Sequence, residues 1–326
     1  MTKKLKLILN YYLGPLIFVA LSFSLYRQIA NKPNLGIQWN LIKVSAVNSK
    51  LWLVIFLMLV NWGIEAKKWQ LLVSHIQQFS FSKAFKSVLA GCSITMLTPN
   101  RVGEYGGRII YIETDNRMKA ISLTIVGSIS QLLITLMMGC MGLMYLKYYF
   151  GDSNNILGIL PHFWQSFILS ISVGVTLVLL LFYLRLSWLV KLVEKAPALQ
   201  NITKHISVLQ EFNNMQLVQI LSLSYLRYLV FVLQYVLLLQ VMQVEIDGFL
   251  SFGLITIFYL VMAVVPTFGF IELPVRISAS WAILKLYTLN EVGVGSVALG
   301  IWIINLAIPA LIGSFLILSN KIVREK

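Results

Sequence analysis

Long apolar runs alternate with short polar connections along most of the chain. Several runs approach the roughly 20 apolar residues that are needed to cross a ~30 Å hydrocarbon core. The chain lacks the ten-residue alternation that is typical of an outer-membrane β-barrel. The pattern predicts an all-α, polytopic helical membrane protein with about six full spans. The predicted spans are residues 7–26, 51–73, 120–146, 164–183, 217–242 and 292–318.

Two further apolar segments are interrupted and are too short to cross a membrane as one helix. The first covers about residues 83–117 and breaks at Pro99, and the second covers about residues 249–289 and breaks at Pro266. Proline removes a helical hydrogen bond and clashes with the preceding turn. We predict two broken, re-entrant helical hairpins, which makes seven to eight hydrophobic helices in a single integral membrane domain, residues 1–326.

Both interruptions carry the same short pattern, a Glu followed four residues later by an Arg and then by an Ile. Side chains four residues apart share one helical face, so each Glu can reach its own Arg. On the predicted topology the two hairpins enter from opposite sides, which is the arrangement of an inverted repeat. Because the shared pattern is only a few residues long, the repeat is a hypothesis. Its members are Glu104, Arg108, Ile109, Glu272, Arg276 and Ile277.

Composition and charge support a membrane location and limit the classes of partner. The chain is 58% hydrophobic and only 12% charged, whereas about a quarter of an ordinary soluble domain is charged. The net charge is +14, but the Lys and Arg residues lie mainly in short loops beside apolar runs. That distribution is the positive-inside pattern of a membrane protein and not the basic patch of a nucleic-acid-binding protein.

The basic loops also predict an orientation. Lys and Arg are concentrated at the N-terminus, in residues 67–119 and 185–204, and at the C-terminus, which places both termini in the cytoplasm of a bacterial inner (plasma) membrane. The connection at residues 27–50 holds four basic residues and argues against this orientation. The apolar start continues to Tyr26 without a small-x-small cleavage site, so we interpret it as a retained first span.

The charged residues of the two hairpins are the candidate site. A charge at the bilayer centre costs about 2.5–3.5 kcal/mol on insertion scales, so these residues predict a shared polar cavity. One interpretation is that each Glu–Arg pair satisfies itself and fixes the hairpin shape. The other is that the arginines bind an anionic headgroup, because the guanidinium fork matches phosphate and half-helix N-termini add N–H donors. The candidate substrate-binding residues are Arg101, Glu104, Arg108, Arg227, Gln234, Glu272 and Arg276.

Other polar and small residues have two interpretations each. Arg227 and Gln234 are seven residues apart and share one helical face, where they either line the cavity or make ordinary interhelical hydrogen bonds. The glycines of the first motif either permit unusual backbone angles or let a neighbouring helix approach closely. The predicted structural loop residues are Pro99, Gly103, Gly107, Pro266 and Gly269.

Three charged residues near the end of the second span, Glu65, Lys67 and Lys68, are interpreted as marking the headgroup region, with their side chains extending outward. The two cysteines, Cys92 and Cys140, have no metal-ligand spacing. The sequence also has no G-x-S-x-G or H-E-x-x-H motif. We therefore assign no catalytic residue, metal or cofactor from the sequence.

The chain resembles the lysylphosphatidylglycerol synthase transmembrane-region family, which includes the flippase portion of bacterial multiple-peptide-resistance proteins. Residues 99–108 are similar to the family form P-x-R-x-G-E-x-x-x-R, residues 68–72 to its basic-Trp-x-Leu-Leu signature, and residues 222–234 to its fifth-span pattern. The late motif departs from the usual PTPGGLGVRE, and the usual Arg of span 3 is absent, with Ser128 or Gln131 in its region. The residues of the late motif that correspond are Pro266, Thr267, Gly269 and Arg276.

The resemblance implies a membrane domain that moves phospholipid or another lipid-linked molecule between leaflets. We expect a flippase-like or transporter-like protein that binds an anionic headgroup, with a membrane phospholipid or lipid-linked substrate as its partner. The alternatives are a membrane-embedded accessory subunit or enzyme of lipid or glycolipid synthesis, acting with envelope-synthesis proteins, and a scaffold that does not transport. The aminoacyl-transfer domain of full synthases is not in this chain, so we do not expect it to make lysyl-lipid by itself.

Overall fold

The computed structural model describes residues 48–98, 102–150, 162–195, 200–265 and 272–318, together with Val19, Phe23 and Asn40. Within these ranges the ordered elements are all helical. The helices are α1 Ser49–Val73, α2 Phe81–Thr95, α3 Gly103–Arg108, α4 Arg117–Phe150, α5 His162–Leu184, α6 Leu186–Glu194, α7 Gln200–Ile206, α8 Asn214–Val241, α9 Gly248–Val264, α10 Glu272–Leu284, α11 Glu291–Trp302 and α12 Ile308–Leu318.

The spanning helices agree with the hydrophobic pattern. In the described part of the chain, five helical segments are long and apolar enough to cross a membrane. The predicted all-α, polytopic membrane fold is therefore confirmed, whereas the predicted span at residues 7–26 lies outside the described residues. The five segments are Ser49–Val73, Thr114–Tyr148, Ser166–Leu184, Asn214–Val241 and Glu291–Leu318.

Short helices occupy both predicted hairpins. α2 has 15 residues and α9 has 17, which at 1.5 Å per residue gives about 22–26 Å, less than a ~30 Å hydrocarbon core. α2 packs closely against α3, and α9 packs against α10. The helix bounds fit the predicted interruptions, while their entry into the membrane from one side stays a prediction.

The helices around the two hairpins pack reciprocally. α2, in the first hairpin, packs against α12, which follows the second hairpin, and α9, in the second hairpin, packs against α4, which follows the first. The two helices that precede the hairpins, α1 and α8, pack against each other. Exchange of equivalent contacts between two sets of helices is expected of an internal repeat, while the inverted repeat itself stays a prediction.

A π-helical turn interrupts the last span between α11 and α12. It covers Ile303–Ala307 and lies just before Pro309, whose ring would clash with the carbonyl group four residues earlier in a regular α-helix. Such bulges are frequent at functional sites. This one contains the buried Asn305, whose Oδ1 accepts a hydrogen bond from Asn61 Nδ2 of α1 at 3.3 Å.

Candidate functional site

A buried carboxylate of α1, Glu65, is shared by three cationic side chains from three helices. Glu65 Oε2 is 2.8 Å from both Lys68 Nζ of α1 and Arg227 Nη1 of α8, and Oε1 is 2.5 Å from Arg108 Nη2 of α3. The Glu65 side chain is only 3% exposed. Because breaking a buried ion pair leaves an uncompensated charge, this cluster couples the positions of the three helices.

The prediction that the side chains of Glu65 and Lys68 extend outward is wrong, because they are 3% and 1% exposed. α1 continues to Val73, two turns beyond Glu65, and both side chains turn inward between packed helices. Lys67 behaves as predicted, because its side chain is exposed and donates to Gln70 Oε1 at 3.1 Å. Two adjacent lysines of one helix therefore have opposite environments.

Lys68 reaches from α1 to α4 and α8. Its Nζ donates to the Gly127 carbonyl at 3.4 Å and to Ser224 Oγ at 3.3 Å. Ser224 also lies 2.8 Å from Ser130 Oγ, and its carbonyl accepts from Gln131 Nε2 at 3.4 Å. The Lys68 ammonium group therefore bonds two neutral oxygens in addition to the Glu65 carboxylate.

The first motif brings Arg108 to the cluster through α3. Arg108 pairs with Glu104, as its spacing predicts, and also with Glu65. The guanidinium carbon lies 4.9 Å from the centre of the Trp69 ring, a cation–π distance. Trp69 Nε1 donates to Ser87 Oγ at 2.9 Å, and Ser87 Oγ donates to the Arg108 carbonyl at 2.8 Å. Trp69 therefore contacts the guanidinium group of Arg108, and Ser87 bonds its backbone carbonyl.

Two glycines allow α3 to lie against α2. A Cβ atom at Gly107 would overlap the backbone of Ala90 and Gly91, and one at Gly103 would overlap the Ile94 carbonyl group. The spacing of four residues puts both glycines on one helical face. The G-x-x-x-G pattern thus permits close helix approach here and lets α3, which carries Glu104 and Arg108, pack directly against α2.

Arg227 lies midway along α8 and completes the cluster from the other side. Its Nε donates to Asn61 Oδ1 at 2.8 Å, in addition to the bond from Nη1 to Glu65. The guanidinium carbon lies 5.5 Å from the Trp62 ring centre and 5.2 Å from that of Phe231. Carboxylate, amide and aromatic partners together fix its position.

Gln234, on the same face of α8, makes an interhelical hydrogen bond away from this cluster. Its Nε2 donates to the Val54 carbonyl of α1 at 2.9 Å, and the residue is fully buried. The structure thus separates the two residues that share this face: Arg227 joins the charged cluster, and Gln234 ties α8 to α1.

The second Glu–Arg pair lies on α10, away from this cluster. Glu272 Oε1 accepts from Arg276 Nε at 3.1 Å and from Nη2 at 3.0 Å, so this pair also forms as its spacing predicts. Arg276 interacts electrostatically with Tyr235 and Tyr259. Tyr235 follows Arg227 by eight residues, or about 12 Å along the helix. The structure brings Glu104, Arg108 and Arg227 together with Glu65, and it places the second pair further along the bundle.

A cavity of about 470 Å³ opens beside the cluster, within the 300–1,000 Å³ range that is typical of small-molecule sites. Its walls come from α1, α3, α4, α8 and the end of α9. Among the described residues, Glu272 and Arg276 are not part of its lining, and Arg108 lies behind Glu104 and Glu65. The lining residues are Glu65, Lys68, Glu104, Tyr105, Gly127, Ser128, Gln131, Leu132, Thr135, Arg227, Met262, Ala263, Val264 and Val265.

The cluster beside this cavity has a positive formal charge. Three cations, Lys68, Arg108 and Arg227, face two carboxylates, Glu65 and Glu104, which gives +1. The opposite wall on α4 is neutral and polar, with Ser128, Gln131 and Thr135. Within the described chain, the buried Gln131 Oε1 has no hydrogen-bond partner. An arrangement of this kind can hold a small anion that also carries hydrogen-bond donors.

One edge of the cavity is apolar and exposed. Leu132 of α4 is 37% exposed, Val264 of α9 is 72% exposed and Val265 is 37% exposed. Leu132 lies on a spanning segment, where exposed aliphatic side chains face acyl chains, and the two valines at the end of the shorter helix α9 extend this apolar edge. The polar cavity is therefore bordered by a surface suited to lipid.

Some predicted site residues cannot be placed, and some important ones were not predicted. Pro99, Arg101, Pro266 and Gly269 lie outside the described residues. Lys68 and Glu65 were the main omissions among the candidates. The available signal was the basic-Trp signature at residues 68–72, since Trp69 contacts the arginine of the first motif.

The fold and site define a class: a multi-pass helical membrane protein with a charged cluster and a cavity between its spanning helices. The chain belongs to the family described as the lysylphosphatidylglycerol synthase TM region, which matches residues 39–313. The match includes every residue of the cluster and the cavity. A search of curated proteins gives no match.

Proposed function

We propose that this protein binds the phosphate headgroup of a membrane lipid in the cavity and moves that lipid between leaflets. The observation that carries the proposal is the surplus of cations around Glu65, with Lys68 and Arg227 lining the cavity. Arginine and lysine both bind phosphate, and arginine can do so with two parallel hydrogen bonds. The membrane we propose is a bacterial inner membrane, with both termini in the cytoplasm.

The apolar edge favours a lipid over a soluble phosphate compound. A headgroup in the cavity leaves its acyl chains to pass Leu132 and Val264, both of which are exposed. Burial of acyl CH₂ groups is worth about 0.8 kcal/mol each, so the chains concentrate a lipid in the membrane beside the cavity, whereas a soluble headgroup stays in water. The polar wall at Gln131 and Ser128 is placed to bond hydroxyl or ammonium groups of the headgroup.

The two interrupted hairpins give a route for movement. Transporters with paired internal repeats commonly bind substrate where broken helices of the two halves meet, and they alternate access by rocking one half against the other. Here α9 of the second hairpin contributes Met262–Val265 to the cavity, and α3 of the first contributes Glu104 and Tyr105. A rigid-body shift between the sets would open the cavity towards one leaflet and then the other.

The family description favours a second candidate. Because the family is named for the membrane region of a synthase, the chain could act as the membrane subunit of a lipid-modifying or glycolipid-synthesising enzyme that other proteins supply. In that role it would bind lipid in the same cavity without carrying it across. Leaflet exchange by the purified chain alone distinguishes the two roles.

The test uses purified protein in liposomes with a trace of acyl-labelled fluorescent phosphatidylglycerol and an impermeant quencher added outside. Wild-type protein is expected to expose inner-leaflet probe faster than protein-free vesicles do. Lys68→Met should slow exchange about tenfold, the effect of losing roughly 1.4 kcal/mol of headgroup binding, since Glu65 keeps its two arginine partners.

Lys67→Met is the matched control, because Lys67 is adjacent but exposed and bonded to Gln70. It should exchange lipid like wild type. Equal rates for the Lys68 variant and wild type would contradict a role for the cavity. Wild-type rates equal to those of empty vesicles would contradict transport and favour the subunit role.

A further inference from the structure

We propose that Glu104 sets the charge selectivity of the cavity, so that it takes a phosphodiester headgroup in preference to a phosphomonoester. This inference rests on the proposed binding of a lipid phosphate in the cavity. Glu104 lines the cavity and pairs with Arg108, which is behind it. The carboxylate therefore stands between an incoming anion and one of the three cations of the cluster.

The two carboxylates of the cluster differ in their freedom to respond to a ligand. Glu65 is 3% exposed and is held by Lys68, Arg108 and Arg227. Glu104 is 19% exposed and lies at the start of the short helix α3. Glu65 is thus the fixed centre of the cluster, while Glu104 is the carboxylate that a bound anion would meet.

The charge sum makes the ligand class specific. With Glu104 ionised, the three cations and two carboxylates that the structure describes in this cluster leave +1, which one phosphodiester neutralises. A phosphomonoester carries about −1.5 to −2 at pH 7, so it would leave excess negative charge facing Glu104 in a partly dehydrated site. Removal of the Glu104 charge raises the sum to +2 and should favour the monoester.

The second pair supplies a control within the same chain. Glu272 has the same spacing to its arginine, a distance of 3.0 Å, and a similar exposure of 18%. Unlike Glu104, it is not among the described residues that line the cavity. Loss of its charge changes the total protein charge equally but leaves the cavity charge unaltered.

The experiment compares binding of short-chain phosphatidylglycerol, a diester, with that of phosphatidic acid of the same acyl length, a monoester. Full-length wild type, Glu104→Gln, Glu104→Asp and Glu272→Gln are titrated in the same detergent at pH 7.5. Wild type should prefer the diester. Glu104→Gln should shift the ratio of dissociation constants towards the monoester about three- to tenfold, as one removed charge in a partly hydrated cavity implies.

Glu104→Asp keeps the charge and should keep the wild-type ratio, as should Glu272→Gln. Glu104→Ala removes the same charge with a smaller side chain and carries the test if the glutamine variant does not purify as a folded protein. An unchanged ratio in the uncharged variants, or an equal shift in Glu272→Gln, would overturn the assignment while leaving lipid binding intact. A wild type that binds neither lipid would overturn the proposed function itself.

A further arm replaces phosphatidylglycerol with its water-soluble headgroup, glycerophosphoglycerol. Much weaker binding of this compound is the expected result, because it cannot use the apolar edge at Leu132 and Val264. Equal affinity would assign the site to a soluble phosphodiester and contradict the lipid source.

Discussion

The Glu104–Arg108 and Glu272–Arg276 pairs have the same spacing and different surroundings. Arg108 also bonds the buried Glu65 and lies over Trp69, and its pair borders a polar cavity. Arg276 bonds Glu272 through two of its nitrogens and interacts with Tyr235 of α8 and Tyr259 of α9. Both pairs form, but only the first is joined to a larger charged cluster in the described chain.

The difference shows what a local pattern determines and what it leaves open. Spacing of four residues on a helix is sufficient for pairing in both hairpins. Whether the pair joins a site depends on a third residue from another helix, here Glu65 of α1. The short helices of the two hairpins have equivalent packing partners. In the described chain, the first pair contacts Glu65 and so belongs to a cluster with Lys68 and Arg227.

The largest expected effect is on stability, from Glu65→Gln. This change removes the carboxylate that compensates three buried cations, and breaking a buried ion pair typically costs about 3–5 kcal/mol. We expect the free energy of unfolding in mixed micelles to fall by at least that amount. Denaturant or thermal unfolding followed by tryptophan fluorescence measures it.

Glu272→Gln is the comparison for that experiment. Its pair is a single ion pair whose side chains are 16% and 18% exposed, so we expect a smaller loss than for the carboxylate that compensates three buried cations. Equal losses for the two variants would mean that the first cluster is energetically no different from a single helix pair.

A smaller loss of stability is expected from Gly107→Ala. The added Cβ would overlap the backbone of α2 at Ala90 and Gly91. Backbone atoms in a helix cannot relieve such an overlap by changing rotamer, as a side chain can. Overpacking of this kind costs about 1–3 kcal/mol. Unfolding of the purified variant provides the measurement.

Gly106→Ala tests the same helix at a position with open space, because no described residue outside this helix has an atom within 4 Å of a Cβ there. Alanine has the better helix propensity, so this variant should be as stable as wild type or slightly more stable. If both alanines destabilise equally, the close approach of α3 and α2 is not the reason for Gly107.

The sequence was sufficient for the all-α, polytopic membrane fold and for each local Glu–Arg pair. Apolar length predicted the spans because membrane thickness fixes helix length, and the prolines marked where the short helices end. The burial of the Glu65 and Lys68 side chains between helices could not be predicted in this way. Charged residues near the end of an apolar run usually lie at the headgroups, and only the packing of α3, α4 and α8 shows that these two turn inward.

The joining of Arg227 to Glu65 was likewise beyond the local pattern. Arg227 was a candidate because a charge midway along a spanning helix is costly unless it is paired. Its pairing with Glu65 is a contact across 162 residues that no short-range periodicity encodes. The reciprocal packing of α2 on α12 and of α9 on α4 is also visible only in the fold.

The last comparison asks which arginine binds lipid, and it tests the central claim most directly. Arg227→Met and Arg276→Met each remove one guanidinium group that is paired with a glutamate, Glu65 in the first case and Glu272 in the second. Native mass spectrometry of both variants with phosphatidylglycerol and phosphatidylcholine measures the anionic lipid retained relative to the zwitterionic one. Arg227→Met should lower that ratio about tenfold, or roughly 1.4 kcal/mol, and Arg276→Met less than about twofold. An equal or larger loss in Arg276→Met would contradict the assignment of the cavity beside Glu65 as the headgroup site.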